Sequence, residues 1–210
     1  MAKTKEKKSR KKRAASIGAR PIVEDDFGNY KIRAGQLNGV FVARAFPKHS
    51  ARNQGLIAEA KGSSETDAIA SLKSLLSERE TDRAANRRWE GRSESSVATQ
   101  EEFLEALRQA NLSVTQQSML KALALAGEDG LAAVSIMNAG GYKSQDAAIK
   151  ALAKAGNLMA DFIGLDFSAG DKNGLDSALG VLGYRGTIDA DAAPHMVLHN
   201  ELHDAVWQTF

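Results

Sequence analysis

The chain contains no cysteine, which removes disulfide frameworks, thiolate metal sites and cysteine nucleophiles. Long apolar runs are missing too. None approaches the ~20 residues a membrane-spanning helix needs. The basic N-terminus is not followed by an apolar stretch, so it does not read as a secretory signal, and a soluble cytoplasmic protein is expected. Catalytic patterns are also absent. No serine sits in a nucleophile-elbow pattern, and no glycine run matches a phosphate loop. Adjacent carboxylates (Asp25/Asp26, Glu101/Glu102, Glu128/Asp129) fall where helix starts or turns are expected, and charge is favourable there without catalysis. The Asp171-Lys172-Asn173-Gly174 turn is no calcium loop, because Ala169 and Gly180 would occupy its first and last ligand positions. A non-enzymatic protein without cofactor or metal is the expectation.

What is present is charge, unevenly placed. The 210 residues carry a net charge of +2. Residues 1–20 hold nine Lys/Arg against Glu6, which gives +8, whereas residues 93–210 hold seven basic and fifteen acidic residues, which gives −8. A cationic tail is attached to an anionic body. Residues 1–27 have too few large apolar side chains to offset ordering entropy and are expected to be a disordered basic tail. Lys7, Lys8, Arg10, Lys11, Lys12 and Arg13 would make it a phosphate-contacting arm, since each neutralised phosphate releases counterions.

Residues 28–80 predict a β-β-β-α unit. Tyr30 to Ala34 alternates, Val40 to Phe46 is rich in β-branched and aromatic residues, and Pro47 ends that strand because it lacks an amide donor. Leu56 to Lys61 is the third strand. Ser64 and Asp67 open a helix carrying Ile69, Leu72 and Leu76. With Phe41, Ala43 and Ala45 facing that helix, the open side of the sheet carries Arg44 beside Lys31, Arg33 and Lys61, interleaved with Val42, Phe46 and Ile57. The layout is similar to the arm-binding domains of phage integrases and to HicB-like antitoxins. Residues 81–98 read as a linker, with Trp89 docked on one of the domains.

From residue 99 to 210 the chain reads as mainly helical. Thr99 with Glu102, and Ser113 with Gln116, are capping boxes. Leu131 to Ala139 is a short helix broken by Gly140 and Gly141. Ser144 then caps a helix whose Ile149, Leu152, Ala153 and Gly156 fall on one face. The opposite side carries Lys143, Ala147, Lys150, Ala151 and Lys154. Two helices, a glycine turn and a lysine-faced helix are the order of a helix-turn-helix. Residues 164–195 read as irregular, with Gly180, Gly183 and Tyr184 in a loop. Met196 to Leu198 is a strand, and Asn200 caps a last helix, so a winged-helix-like domain is expected with its wing within 164–198. His195, His199 and His203 have zinc-binding spacing only on one continuous helix. The strand and the cap would turn the rings apart, so they are expected to be surface or hydrogen-bonded histidines.

The run from Val114 through Gly141-Tyr142-Lys143-Ser144 to Met196-Val197-Leu198 and Glu201-Leu202 resembles a small helical domain of bacterial and phage proteins, found in some beside HNH-type endonucleases. The resemblance covers about half the chain. It implies a setting of restriction, mobile DNA and phage, and no mechanism. The chain departs from it at Ala147, Ala148 and His199, and it has no HNH core, so nuclease activity is not implied.

The expectation that follows is a protein binding nucleic acid, DNA before RNA, through Lys143, Ser144, Gln145, Lys150 and Lys154. Lys31, Arg33 and Arg44 of the sheet and the basic tail would add contacts. Two alternatives remain open. One is a phage-encoded inhibitor or adaptor, of anti-restriction or anti-CRISPR type, whose acidic body binds a nuclease or other nucleic-acid-handling enzyme. The other is an RNA- or ribosome-associated factor.

Overall fold

A short, weakly apolar segment that the sequence does not single out as a strand begins the described residues. In the computed structural model, residues 22–48, 55–92, 95–165, 174–186 and 194–210 are described. The tail cations and most of the Asp171-to-Gly174 turn lie outside them. Strand β1 (Val23–Phe27) pairs antiparallel with β2 (Tyr30–Leu37), then come β3 (Val40–Pro47) and β4 (Ala58–Gly62), in the order β1-β2-β3-β4. The sheet therefore has four strands rather than three, and Val23–Phe27 belongs to it rather than to the tail. Charge supplies what apolar patterning does not: Asp25 pairs with Lys73 at 2.7 Å and Glu24 with Lys31 at 3.0 Å.

Helix α1 (Glu65–Asn86) lies across one face of this sheet. Ser64 caps it by accepting from the Asp67 amide. Ala68, Leu72 and Leu76, spaced four apart, pack with Ile32, Ala34, Ala43 and Ala45 into a small core. Each buried leucine contributes roughly 1.5–3 kcal/mol. Phe41, Ala43 and Ala45 face the helix as the alternation predicts. Ile57 does not join the open face: it precedes β4 and packs on the helix side.

The expected linker is largely ordered structure. Helix α1 runs to Asn86, and a small hairpin follows, β5 (Arg88–Glu90) with β6 (Ser95–Val97). Arg88 reaches Glu201 at 2.6 Å, and Arg92 lies 3.7 Å over the Tyr184 ring, so the hairpin is strapped onto the C-terminal region. Trp89 is not docked; it is 68% exposed.

Helices α2 (Gln100–Gln109), α3 (Val114–Ala126), α4 (Ala133–Gly140) and α5 (Gln145–Ile163) follow, then α6 (Leu175–Leu182), β7 (Gly183–Gly186), β8 (His195–Leu198) and α7 (Asn200–Thr209). Both capping boxes form as predicted. Helix α6 is the largest departure in this half: Gly180 lies within it, and Gly183 and Tyr184 lie in β7 rather than in a loop. The approach of α6 to α5 explains Gly156, where a Cβ would collide with the Ala178 carbonyl. Strand β8 pairs with β7 and also bridges Leu131, giving the order Leu131-β8-β7. The N-cap of α7 is His199, not Asn200. A second, larger core runs through α2 to α7, with Phe103, Leu120, Leu123, Leu152, Met159 and Leu202 fully or nearly fully buried.

The two cores meet at a charged seam. Arg79 and Arg83 of α1 both bind Glu105 of α2, and Arg87 binds Glu102. Among the described residues, no helix is long and apolar enough to cross a membrane.

Candidate nucleic-acid interface

Position is set by the turn between α4 and α5. Gly141 adopts φ 67°, a left-handed conformation that ends α4 and directs its amide back to the carbonyls of Asn138 and Met137. Gly140 gives clearance of another kind: a Cβ there would sit 2.8 Å from the Tyr142 ring and 2.9 Å from Met119 Sδ. Tyr142 can then lie over the end of α4, its amide bonded to Met137 O at 3.0 Å and its hydroxyl 3.3 Å from Thr115 Oγ1. Ser144 accepts from the Ala147 amide at 3.3 Å and starts α5.

Helix α5 is held from behind. Leu152, Ala155, Gly156, Met159 and Ala160 are buried, with Ala153 and Ile163 nearly so. Gln116, whose Oε1 closes its own capping box, donates through Nε2 to the Ala151 carbonyl at 2.9 Å. Its second role, tying α3 to the middle of α5, was not read from the sequence, because a cap motif reveals one bond of a side chain and not the other.

The predicted residues lie exposed at the start of α5 and along its outward side. Lys143, Ser144, Gln145, Lys150 and Lys154 are all exposed. Lys143, Lys150 and Lys154 pair with no carboxylate among the described residues. Lys150 and Lys154 stand one turn apart, ~6 Å along the axis, and Lys143 precedes the first turn. Small residues, Ala147 and Ala151, lie between them and are half-buried. Asp146 and Asp161 are exposed on the same helix, so its outer side is cationic without being free of acid.

The sheet is different. Lys31 and Arg33 both close on Glu24, at 3.0 and 3.1 Å, and Arg44 closes on Glu59 at 2.7 Å. Register makes this unavoidable: Glu24, Arg33, Arg44 and Glu59 occupy one rung across the four strands. Lys31 first, then Arg33, holds the Glu24 carboxylate below its ordinary pKa. Arg33 also lies 5.7 Å over the Phe46 ring. Beside them is an open groove of about 240 Å³ lined by Ile22, Gly35, Leu37, Val42 and Phe46. The structure thus brings Lys31, Arg33 and Arg44 together as predicted but neutralises them. The acids of β1 and β4 were the readable signal, had Val23–Phe27 been recognised as a strand.

The three histidines do not converge. His195 Nδ1 is 3.1 Å from the Asp129 carbonyl, and His203 Nδ1 is 3.0 Å from Asp204 while its Nε2 accepts from Trp207 at 3.1 Å. His199 is 0% exposed, with Nε2 at 2.8 Å from the Gly180 carbonyl and Nδ1 without a partner. Burial pushes its pKa down, against the Gly180 bond. Among the described residues, no three His, Asp or Glu could hold a metal ion together.

Compared with family models, curated proteins and solved structures, the chain matches none of them. The class defined here is a mixed α/β protein, a four-stranded antiparallel sheet followed by helices. The resemblance drawn from Val114, Gly141 to Ser144, Met196 to Leu198 and Glu201-Leu202 rests on those sequence motifs alone.

Proposed function

We propose that the protein is a non-enzymatic binder of double-stranded DNA, with α5 laid in the major groove and Lys143, Lys150 and Lys154 on the phosphates. The observation that carries this reading is their state: two exposed ammonium groups on α5 and a third just before its N-cap, unpaired with any described residue, when most other described cations have a carboxylate within 4 Å. An unpaired surface charge keeps its full attraction for a polyanion, and binding then releases counterions. The helix order supports the same reading. Helices α3 and α4, the glycine turn and α5 stand in the order of a helix-turn-helix. The Leu131-β8-β7 arrangement fits a winged helix into which α6 is inserted before β7. The basic tail would add sequence-independent affinity. The sheet cations contribute less than their number suggests.

The test uses the full chain with Lys7, Lys8, Arg10, Lys11, Lys12 and Arg13 changed to Ser, so that the tail does not mask the body. Duplex binding is titrated against salt for this protein and for the same protein carrying Lys143→Ala, Lys150→Ala and Lys154→Ala. A loss of affinity with a shallower salt slope supports the reading. Equal affinity and slope would remove α5 from the interface.

A second reading keeps one observation. An open groove between α1 and α2, about 700 Å³, is lined by Glu78, Asp82 and Glu101 and by Arg79 and Arg83, which are already bound to Glu105. An acidic groove suits a basic protein surface, as an inhibitor or adaptor of a nucleic-acid-handling enzyme would need. Capture of a partner that survives nuclease treatment, and is lost in E78Q/D82N/E101Q, would favour it.

A further inference from the structure

Phosphate contacts position a protein on a duplex, while side chains reaching base edges select sequence. The exposed residues of α5 separate these two tasks by residue type. Its cations are lysines, compact charges on flexible stems, and it has no arginine, whose planar fork is the stronger match for guanine. Its first two residues, Gln145 and Asp146, are exposed, and no described residue hydrogen-bonds to either side chain or pairs with it. No earlier turn of helix covers them, and the chain before them runs back over α4 through Tyr142. Residues at the start of a groove-bound helix are the ones that meet base edges.

We propose that Gln145 and Asp146 are the sequence-reading residues of this protein, and that its preferred target is B-form DNA presenting adenine or cytosine amino groups in the major groove where α5 begins. This rests on the DNA-binding reading above. The Gln145 amide supplies a donor for adenine N7 and an acceptor for the adenine N6 amine. The Asp146 carboxylate accepts only, which matches the exocyclic amine of cytosine or adenine. Set against guanine O6 and N7 or thymine O4, the same carboxylate faces acceptors and repels them. Asp146 therefore acts mainly by rejecting bases, and it weakens binding to unselected DNA through its charge. RNA duplexes are excluded as targets of this device, because the deep and narrow A-form major groove does not admit a helix.

The experiment selects 20-base-pair duplexes from a randomised pool with the full-length chain, at a salt concentration where tail binding is weak, and sequences the bound fraction. The parent should enrich adenine or cytosine at one or two neighbouring positions by about fivefold or more, the low end for a well-made side chain to base pair. Gln145→Ala should erase the adenine preference with the salt slope unchanged. Asp146→Asn should flatten discrimination against guanine and thymine and raise affinity for unselected duplex. Lys150→Ala with Lys154→Ala should lower affinity and salt slope while leaving the enriched bases as they were. Enriched bases that persist in both Q145A and D146N overturn the proposal, as does a guanine preference that disappears with the lysines. If the parent binds with a lysine-dependent salt slope but selects no base, this inference fails and the DNA-binding reading stands. If the lysine variants bind like the parent, both fail.

Discussion

Two cationic surfaces of this chain, similar in the sequence, have opposite fates. On the open face of the sheet three of the four cations are paired, Lys31 and Arg33 on Glu24 and Arg44 on Glu59, while Lys61 at its edge has no described carboxylate partner. On α5, Lys143, Lys150 and Lys154 face solvent and pair with no described carboxylate. The cause is geometric. An antiparallel sheet sets residues of neighbouring strands directly opposite each other, 4.5–5.5 Å apart at about the Cβ, so acids on β1 and β4 meet bases on β2 and β3. A solvent-facing helix offers only its own i±3 and i±4 neighbours, and the acid that stands there for Lys150, Asp146, does not close on it within 4 Å. The number of basic residues is therefore a poor guide to an electrostatic surface, and their pairing is a better one.

The largest effect should come from the paired side of the comparison at its most buried point. Glu102 is 1% exposed, binds Arg87 at 2.5 Å and closes the capping box of α2 on the Thr99 amide. Glu102→Ala strands the Arg87 guanidinium and removes a cap, and it should cost about 3–5 kcal/mol in denaturant unfolding. Glu102→Gln keeps the box and should cost less. Changing the three lysines of α5 should cost no more than about 0.5 kcal/mol, as surface changes do. If the two losses were alike, the distinction between structural and free cations would not hold.

Acid should expose the same asymmetry. Burial works against the Glu102 carboxylate, yet Arg87, the Thr99 amide and Arg83 together hold its pKa below the ordinary value. Arg88 first, with the Arg92 amide and side chain, holds Glu90 at about 2. Groups whose folded pKa is depressed stabilise the fold above their unfolded value and lose that contribution as pH falls through the folded one. Stability should thus decline below about pH 4.5, and Glu102→Gln should make that decline shallower in an acid titration followed by circular dichroism.

Next in size are the binding effects. Changing the three lysines of α5 to alanine should reduce the slope of log affinity against log salt by about 3, close to one per lost phosphate contact. Arg33→Ala with Arg44→Ala should leave the slope nearly unchanged. The reverse experiment is sharper. Glu24→Gln with Glu59→Gln frees Lys31, Arg33 and Arg44 without adding a cation, and the salt slope should rise by up to about 3. Duplex binding that ignores this double change would show that the sheet faces away from the polyanion.

How much of this was legible follows from the same physics. Caps were readable because they act within four residues: Thr99 with Glu102, Ser113 with Gln116 and Ser144 all do what their spacing says. Gly141 ended α4 for a local reason as well. Strand β1 was not readable, since Val23–Phe27 carries three acids whose partners, Lys31, Arg33, Lys48 and Lys73, lie elsewhere in the chain. The end of α1 was hidden likewise. Residues 77–86 are mostly polar, and the partner of Arg79 and Arg83, Glu105, lies on another helix, as does Glu102, the partner of Arg87 just beyond. Helix α6 was missed because its glycines suggest a loop, whereas Gly180 is buried within it and accepts from His199. The exposed residues of α5 were legible as a face, but the lack of described ion pairs to its lysines was not, because it depends on what the remainder of the fold leaves uncovered.

The smallest effect concerns a third kind of cation, one that the fold suppresses rather than pairs or frees. His199 is buried at the junction of α6, β8 and α7. Its Nε2 donates to the Gly180 carbonyl if the ring is neutral with the proton there, which leaves Nδ1 as a bare, buried acceptor. Protonation would put an unpartnered N–H in that site. Burial therefore lowers its pKa, with Arg88 acting in the same direction and Gly180, Glu201 and Glu90 opposing. A depressed histidine binds fewer protons folded than unfolded, so its contribution is present above the unfolded value near 6.5 and is lost as pH falls below it. That window lies above the one set by Glu90 and Glu102, so the two can be separated. Gln places its amide where Nε2 stands and keeps the bond to Gly180. His199→Gln should therefore flatten the stability profile between about pH 7 and 5, by no more than about 1.4 kcal/mol per unit of pKa difference removed. A parent profile that is already flat there, or a variant with the same slope, would mean that some other group carries the proton.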